Sequence, residues 1–517
     1  MPEIKKMAKV ESDSHSLDNL NDAHKSTTFQ DYSEGILKQA KKINFLEREI
    51  KPLEQKKSKL EDKLYDKNTT QDAKTKFSRE IVNIEAVLNR KKTASRAAIR
   101  VETTEELIKL STKNGVIYLC TNNEKIYCYI DTHWNEVNEN LFRIFIEKFA
   151  LKLGTTKYIA KDFKFVDELM AQFKSQSSKI FERDQNSVLV NFQNGTFNIK
   201  KQKLYHHTPK DDLTYVLGFK YDPEVAPILF FEFLNEVLPD KQKQNILAEF
   251  IASVFISNKI LKLEKMLLLY GQGANGKSVI FEIVKELLGD QNIANHSLDA
   301  LTDKKGYSRA ELDNKLLNYS SEISQKLNVD VLKQLASGET IEARVPYGKP
   351  FFVSDYAKFM FNTNSLPKDV EHTHGFFRRF IIIHFDKTIS REKQDKQLAT
   401  KIIDNELPGV FNWVLDGLKR LLKNKDFSEC KSIDEIIKKF KMSSDSVGMY
   451  LNEANANKSL NHYTVKYVYG EYRKYCIESG YKTVNKVNFE QRLEHHGYTL
   501  DKVRKVKSVF IQIESID

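Results

Sequence analysis

The chain is poor in the features that would send it through a membrane or around a metal ion. Only four cysteines (Cys120, Cys128, Cys430, Cys476) are spread over 517 residues, with no C-x-x-C pair. Neither a disulfide framework nor a cysteine zinc site is expected, and a reducing compartment is. Apolar runs are short: Met266–Tyr270 is among the longest, against roughly 20 residues for a membrane span. The opening MPEIKKMAKVESDSH has no apolar stretch behind its lysines, unlike a secretory signal. A soluble, unexported protein with no membrane partner is the expectation. His206–His207 and the pair His372 and His374 lack further donors at metal-ligand spacing.

What is present is an ordinary globular balance, with 40% hydrophobic and 30% charged residues, too apolar for a wholly disordered chain. A mass of 60.1 kDa exceeds one hydrophobic core, so two to four domains are expected. Lys and Arg number 82 against 71 acids, a net charge of +11. That surplus fits a polyanionic partner; a lysine-rich coding bias fits it as well.

Along the chain, residues 1–34 read as disordered. Residues 35–110 read as a helical hairpin or coiled coil for oligomerisation or spacing. Ile36, Ile43, Leu46, Ile50, Leu53, Leu60 and Leu64 fall on heptad core positions, with Gln39 and Lys57 intruding. Pro52 should kink this helix or open a new one. DKNTTQD (66–72) is a turn, and Phe77, Ile81, Ile84 and Leu88 resume the spacing. Residues 111–255 form a mixed α+β region. It has strand-like runs at 116–121 and 125–131, helical periods at 139–152, 163–174 and 227–260, and a hairpin signal at NFQNGTFNI. Residues 256–425 are the expected core domain: strand-like and helical runs alternate over 264–390, which predicts an α/β layer with a parallel sheet, and 407–422 is one more helix. Residues 426–446 are a polar linker, and 447–517 read as helices followed by a small hairpin.

The run KMLLLYGQGANGKSVIFEIVKELLG carries the chemistry. Gly271, Gly276, Lys277 and Ser278 match G-x-x-x-x-G-K-[ST], after a short buried-strand run and before a helical face of Ile280, Ile283, Val284, Leu287 and Leu288. Glycines let backbone N–H groups curl around phosphate oxygens, and the helix N-terminus adds partial positive charge. Gly271, Gly273, Ala274, Asn275, Gly276, Lys277, Ser278 and Val279 are the expected nucleotide contacts. Lys277 would reach the β- and γ-phosphates and the Ser278 hydroxyl would ligate Mg²⁺. Later residues must name the reaction. Glu322 ends KLLNYSSEIS, where it could polarise water or hold magnesium. Asn362 and Asn364 end the strand run KFMFNTNSLP and could orient a water against the γ-phosphate. Arg378 and Arg379 precede the strand run FIIIHF and could act as an arginine finger.

This order, within about 110 residues, resembles a superfamily 3 helicase, a branch of the AAA+ ATPases found in viruses, phages and plasmids. The wording is closest to the poxvirus-type and phage/plasmid primase-helicase family. It rests on GANGKS, on the upstream NFQNGTFNI and LTYVLGFKYDP, and on SGETIEARVPYGKPF and LPGVFNWVLDGLKRL downstream, over roughly 115–515. The resemblance implies Lys277 and Ser278 as the Walker A pair, Glu322 as the Walker B acid and Asn364 as the sensor amide. It implies Arg379 as a finger acting in trans, with Arg378 the second choice, and ATP and Mg²⁺ as cofactors. It further implies a ring hexamer on single-stranded and forked DNA, moving 3′ to 5′. A hairpin at Ile341–Val353 would track one strand through Tyr347, Gly348 and Lys349. Ser321 stands where many members have a second acid, which leaves the division between metal binding and water activation open. No archaeo-eukaryotic-type or zinc-binding primase segment is apparent, so a separate primase or replication protein is an implied partner. A phage, plasmid or other mobile element is the implied setting, and bacterial host cytoplasm the implied location.

The last block resembles the winged helix that follows the motor in this family. Val465, Val468, Tyr469, Tyr472 and Cys476 give one helical face; Phe489 and Leu493 anchor a second helix. Lys486, Asn488, Gln491 and Arg492 would then face a DNA groove, with Lys502, Arg504, Lys505 and Lys507 on phosphates. A protein-binding winged helix is the alternative. For the whole chain the alternative to a helicase is an ATP-switched AAA+ DNA-binding initiator or defence-associated assembly without strand separation. A small-molecule kinase lacks any substrate-pocket signature.

Overall fold

The computed structural model describes residues 28–121, 124–178, 187–321, 328–366, 374–503 and 505–513. The chain is multidomain α/β and divides into two compact units. The first comprises 1–184 and 204–216, the second 185–203 and 217–517.

In the first unit, helix Phe29–Gln39 starts inside the segment expected to be disordered, capped by Thr28 and Asp31. Its Ile36 is buried in the unit's core rather than in a coiled coil. The helical hairpin itself is Phe45–Tyr65 and Gln71–Arg90, closed by Leu60, Ile81 and Ile84. Lys57, which intruded on the heptad, faces Glu85 at 2.7 Å instead of a core. Pro52 lies inside helix Phe45–Tyr65 and does not open a new one. Helix Arg96–Lys113 belongs to the following core, not to the hairpin. That core packs Phe142, Phe145, Phe149, Phe165 and Phe173 from helices Glu139–Lys152 and Phe163–Gln176 against an antiparallel sheet. The sheet is β1 (Ile117–Cys120), β2 (Ile126–Ile130) and β3 (His133–Val137); β3 was not foreseen.

The second unit opens with the expected hairpin, β4 (Leu189–Phe192) and β5 (Gly195–Asn198), turning at Gln193-Asn194; β6 (Lys203–Tyr205) follows where the chain passes from this unit back to the first. Helices Ile228–Val237 and Lys241–Ser253 lead to a parallel sheet. Its strands are β7 (Met266–Tyr270), β8 (Ile293–Ala294), β9 (Leu317–Ser320), β12 (Lys358–Thr363) and β13 (Phe380–His384), in the order β13-β7-β12-β9-β8. Between β9 and β12 the chain makes an antiparallel hairpin, β10 (Ile341–Arg344) and β11 (Pro350–Val353). Met266 to Leu269 are fully buried, as a central parallel strand covered on both faces requires. Helix Leu398–Asn424 packs along helices Lys241–Ser253 and Lys277–Leu288. Its Glu406 carboxylate takes the N–H groups of Leu229 and Phe230, each at 2.9 Å, at the start of helix Ile228–Val237. Buried Glu249 meets Arg420 at 2.9 Å and Ser428 at 2.7 Å.

The stretch expected to be a linker contains helix Lys431–Ser443. Its Phe440 is buried in the sheet's core against Phe377; charged residues around a sparse apolar stripe hid this face. The last block has helices Ser446–Glu453, Val465–Glu478 and Lys486–His495 with a sheet β14 (Asn457–Thr464), β16 (Val506–Gln512), β15 (Leu500–Val503). Val465, Val468, Tyr472, Cys476, Phe489 and Leu493 form its core. No helix among the described residues is long and apolar enough to cross a membrane.

Candidate nucleotide-binding site

β7 ends at Tyr270, and two glycines then shape the loop. Gly271 has φ +154 and a Cβ there would lie 2.4 Å from the Phe385 carbonyl oxygen. Gly276 has φ +85 and its Cβ would lie 2.8 Å from Val237. Both conformations and both close approaches exclude a side chain. Helix Lys277–Leu288 begins at once, so its first N–H groups have no intrahelical acceptor. Among the described residues no backbone carbonyl takes the N–H groups of Gly273 through Val279. The result is a concave row of donors with the positive end of a helix behind it, which fits phosphate oxygens.

Lys277 is buried, and its ammonium donates to the Gly271 carbonyl at 2.5 Å, the Asn275 Oδ1 at 3.0 Å and the Gln272 carbonyl at 3.4 Å. Burial pushes its pKa down, so an anion beside it would be favoured by Coulomb attraction in a poorly solvated place. Asn275 is buried and donates to the Phe385 carbonyl at 3.3 Å. The Ile389 N–H donates to the Ala274 carbonyl at 2.8 Å. The segment after β13 thus braces the loop. Ser278 is exposed in the helix's first turn, where its hydroxyl fits a Mg²⁺ ligand. No cluster of three or more His, Cys, Asp or Glu fit to hold a metal occurs among the described residues.

Sheet register brings other candidates to the same edge. Thr363 of β12 pairs with Tyr270 of β7, and Phe361 pairs with Ser320 of β9. Asn364 and Ser321 therefore leave the sheet beside the loop; Glu322 lies outside the described residues. The two asparagines differ. Asn362 is buried, donates to the Tyr319 hydroxyl and leaves its Oδ1 buried without a partner. Asn364 is exposed. A pairing the spacing did not reveal is the stack of His384 on Tyr270, ring centroids 4.8 Å apart. Burial lowers the His384 pKa. It requires β13 beside β7, a neighbour relation that no motif encodes.

The arginines stand at the opposite edge and are unequal. Arg379 is buried and turned inward, donating to the Gly375 carbonyl and to Ser337 Oγ at 3.0 Å, while its Nε is buried without a partner. That contradicts the outward role expected of it. Arg378 is half exposed, 3.1 Å from Glu264. The hairpin has the expected bounds, Ile341↔Val353 to Arg344↔Pro350. At its tip Tyr347 is fully exposed with φ +61, Lys349 is exposed, and Arg344 Nε braces the turn on the Gly348 carbonyl at 2.9 Å.

In the last block, Lys486, Asn488, Gln491, Lys502 and Lys505 are exposed. Arg492 is not available for a groove: it donates to buried Asp445 at 3.1 Å, beside His496 at 2.6 Å from the same carboxylate. Lys507 pairs with Glu490 at 2.6 Å. Arg504 lies outside the described residues.

Three family descriptions match the chain: "D5 N terminal like" over 107–239, a family of unknown function, DUF5906, over 269–379, and "Poxvirus D5 protein-like" over 442–516. None of the three spans half of the chain; the first and the third both describe a likeness to D5 proteins. The second of them holds the nucleotide loop, the hairpin and both arginines. Among viral relatives, "Putative helicase L207/L206" of Acanthamoeba polyphaga mimivirus is 26% identical over 257 residues, 46% of this chain and 26% of that protein. "Putative helicase 121R" of Invertebrate iridescent virus 3 is 24% identical over 232 residues, 41% of this chain and 24% of that protein. The matches thus span about a quarter of each relative's length. The NrS-1 C-terminal region in its apo A form, at 14% identity and a TM-score of 0.47, covers 78% of this chain and 98% of that one. A likeness of that degree specifies neither fold nor function.

Proposed function

We propose that this chain is an ATP-driven DNA helicase of the superfamily 3, AAA+ type, acting as a ring hexamer in the replication of a phage, plasmid or other mobile element. The observation that carries the reading is the loop after β7: glycines that no side chain can replace, unclaimed N–H donors and a buried lysine at the head of a helix. The helicase names of the viral relatives support the motor class, and 3′-to-5′ movement follows from the family alone.

Within that reading Lys277 holds the β- and γ-phosphates and the Gly273–Val279 amides hold the remaining phosphate oxygens. Ser278 and Glu322 would hold Mg²⁺, which when bound offsets the negative charge developing on the transferred phosphoryl group. Asn364, exposed at the strand end beside the loop, orients the attacking water, whereas Asn362 is committed to Tyr319. The finger is better supplied by Arg378 than by Arg379. Arg378 precedes β13, whose far end lies by the loop, so roughly 15 Å of strand separates it from its own nucleotide. A neighbouring subunit's nucleotide is then its reachable target. Tyr347 and Lys349 at the hairpin tip meet a base face and a phosphate of one DNA strand. The exposed lysines of the last block are assigned to duplex phosphates, in a winged-helix role without Arg492.

The deciding experiment is strand separation on a forked duplex with a 3′ tail, beside a 5′-tailed control and Lys277→Ala. Unwinding by the native chain that Lys277→Ala abolishes is the expected result, and the tail preference gives polarity. ATP hydrolysis that needs Lys277 but never separates strands would favour the ATP-switched initiator or defence-associated assembly.

A further inference from the structure

The first unit carries a patch that the motor reading does not use. After helix Glu139–Lys152 the chain runs through Gly154 and a single helical turn, Lys157–Ala160, into helix Phe163–Gln176. Tyr158 is 89% exposed and Phe163 67% exposed, five residues apart, over a core closed below them by Ala160, Phe165 and Val166. Lys152, Lys157, Lys161 and Lys164 are all exposed along the same stretch. From 151 to 161 there is no acid. The Asp162 carboxylate that follows is engaged by Arg96 at 2.9 Å and by the Lys164 N–H at 3.2 Å. Among the described residues no carboxylate pairs with any of the four lysines; the Lys164 ammonium lies 6.0 Å from the centre of the Phe163 ring.

Apolar side chains scattered singly are ordinary on a surface; what marks this stretch is two exposed aromatic rings with four exposed lysines around them, the combination that takes stacked bases and phosphates together. A protein partner of ordinary composition would take the rings and leave four ammonium groups facing it without counter-charges. A duplex would take the cations and leave the rings idle, because its bases are already stacked. A single strand takes both, since unstacked bases lie on aromatic faces while phosphates pass the lysines. We infer that Tyr158 and Phe163, with Lys152, Lys157, Lys161 and Lys164, form a second single-stranded nucleic acid site, on the first unit and independent of the hairpin tip.

The test uses the full-length protein and a fluorescein-labelled oligothymidylate, with binding read by anisotropy over a series of salt concentrations. Tyr158→Ala combined with Phe163→Ala should weaken binding at least about tenfold. Lys157→Glu combined with Lys161→Glu should flatten the log–log salt dependence by roughly 0.7 for each phosphate that is no longer neutralised. Both should leave DNA-independent ATP hydrolysis unchanged, and photocrosslinking of the native protein should mark the 157–164 peptide. Native-like affinity and salt slope in both variants, with no crosslink to that peptide, would overturn the site. So would a change in solution mass without a change in DNA affinity, which would make the patch an interface between copies of the chain. Tyr347→Ala with Lys349→Ala runs alongside, and residual binding in that variant is expected to depend on Tyr158 and Phe163. Loss of strand separation alone would count against the motor, not against this site.

Discussion

Two lysines stand at opposite edges of the same parallel sheet, and both have their pKa lowered by burial. Lys277 follows β7 at one edge, facing the carbonyls of its own loop, with unclaimed N–H donors around it. Lys358 opens β12 at the other edge and donates to Asn258 Oδ1. It lines a small cavity with Lys265, Gly338 and Tyr356. Tyr356 in turn ties off the end of helix Val329–Ser337 by donating to the Glu339 carbonyl at 2.9 Å. A depressed lysine pKa therefore does not identify a site. What separates the two is the surroundings: glycines that no side chain can replace and spare N–H donors at the first edge, a side-chain amide partner in a small cavity at the second.

The comparison can be broken most decisively at the arginines. Arg378→Ala should reduce ATP turnover by about 10³–10⁵ while nucleotide binding persists, measured by steady-state hydrolysis and nucleotide titration. Arg379→Ala should instead destabilise the fold by about 1–3 kcal/mol, by stranding Ser337 and the Gly375 carbonyl, seen in denaturant unfolding. The reverse pattern would restore Arg379 as the finger. Next in size is Lys349→Ala, which should abolish unwinding and keep basal ATP hydrolysis; equal loss of both would give the hairpin a structural role.

The smallest effect concerns Lys358, whose pKa is pushed down to about 8. Its folded pKa lies below its unfolded value of roughly 10.4. Between those values the unfolded chain binds the extra proton, so this group's contribution to stability rises with pH over that window. Lys358→Met should flatten that rise in the unfolding free energy and leave hydrolysis intact, whereas Lys277→Met should abolish hydrolysis.

Much of this was legible in the residues. G-x-x-x-x-G-K-S between a buried run and a helical face specifies a strand, a loop and a helix whatever surrounds them. Asn194-Gly195 specifies a hairpin for the same local reason. The heptad reading failed at Ile36 because spacing on a helix says that a face is apolar, not which partner buries it. The linker reading failed at Phe440 because one aromatic on a charged helix is enough to dock it. Arg378 and Arg379 are adjacent and chemically identical, so only the packing around Ser337 separates them, and Arg492 looked free until Asp445 was seen beneath it.

Residue order was enough to set the elements and the phosphate-binding loop, because backbone conformation at glycine, helix starts and strand alternation are local consequences of residue type. Packing in three dimensions chose which strands are neighbours, which of two asparagines meets solvent and which of two arginines points outward. Those outcomes depend on residues far apart in the chain meeting one another, and no short motif contains both sides of such a meeting.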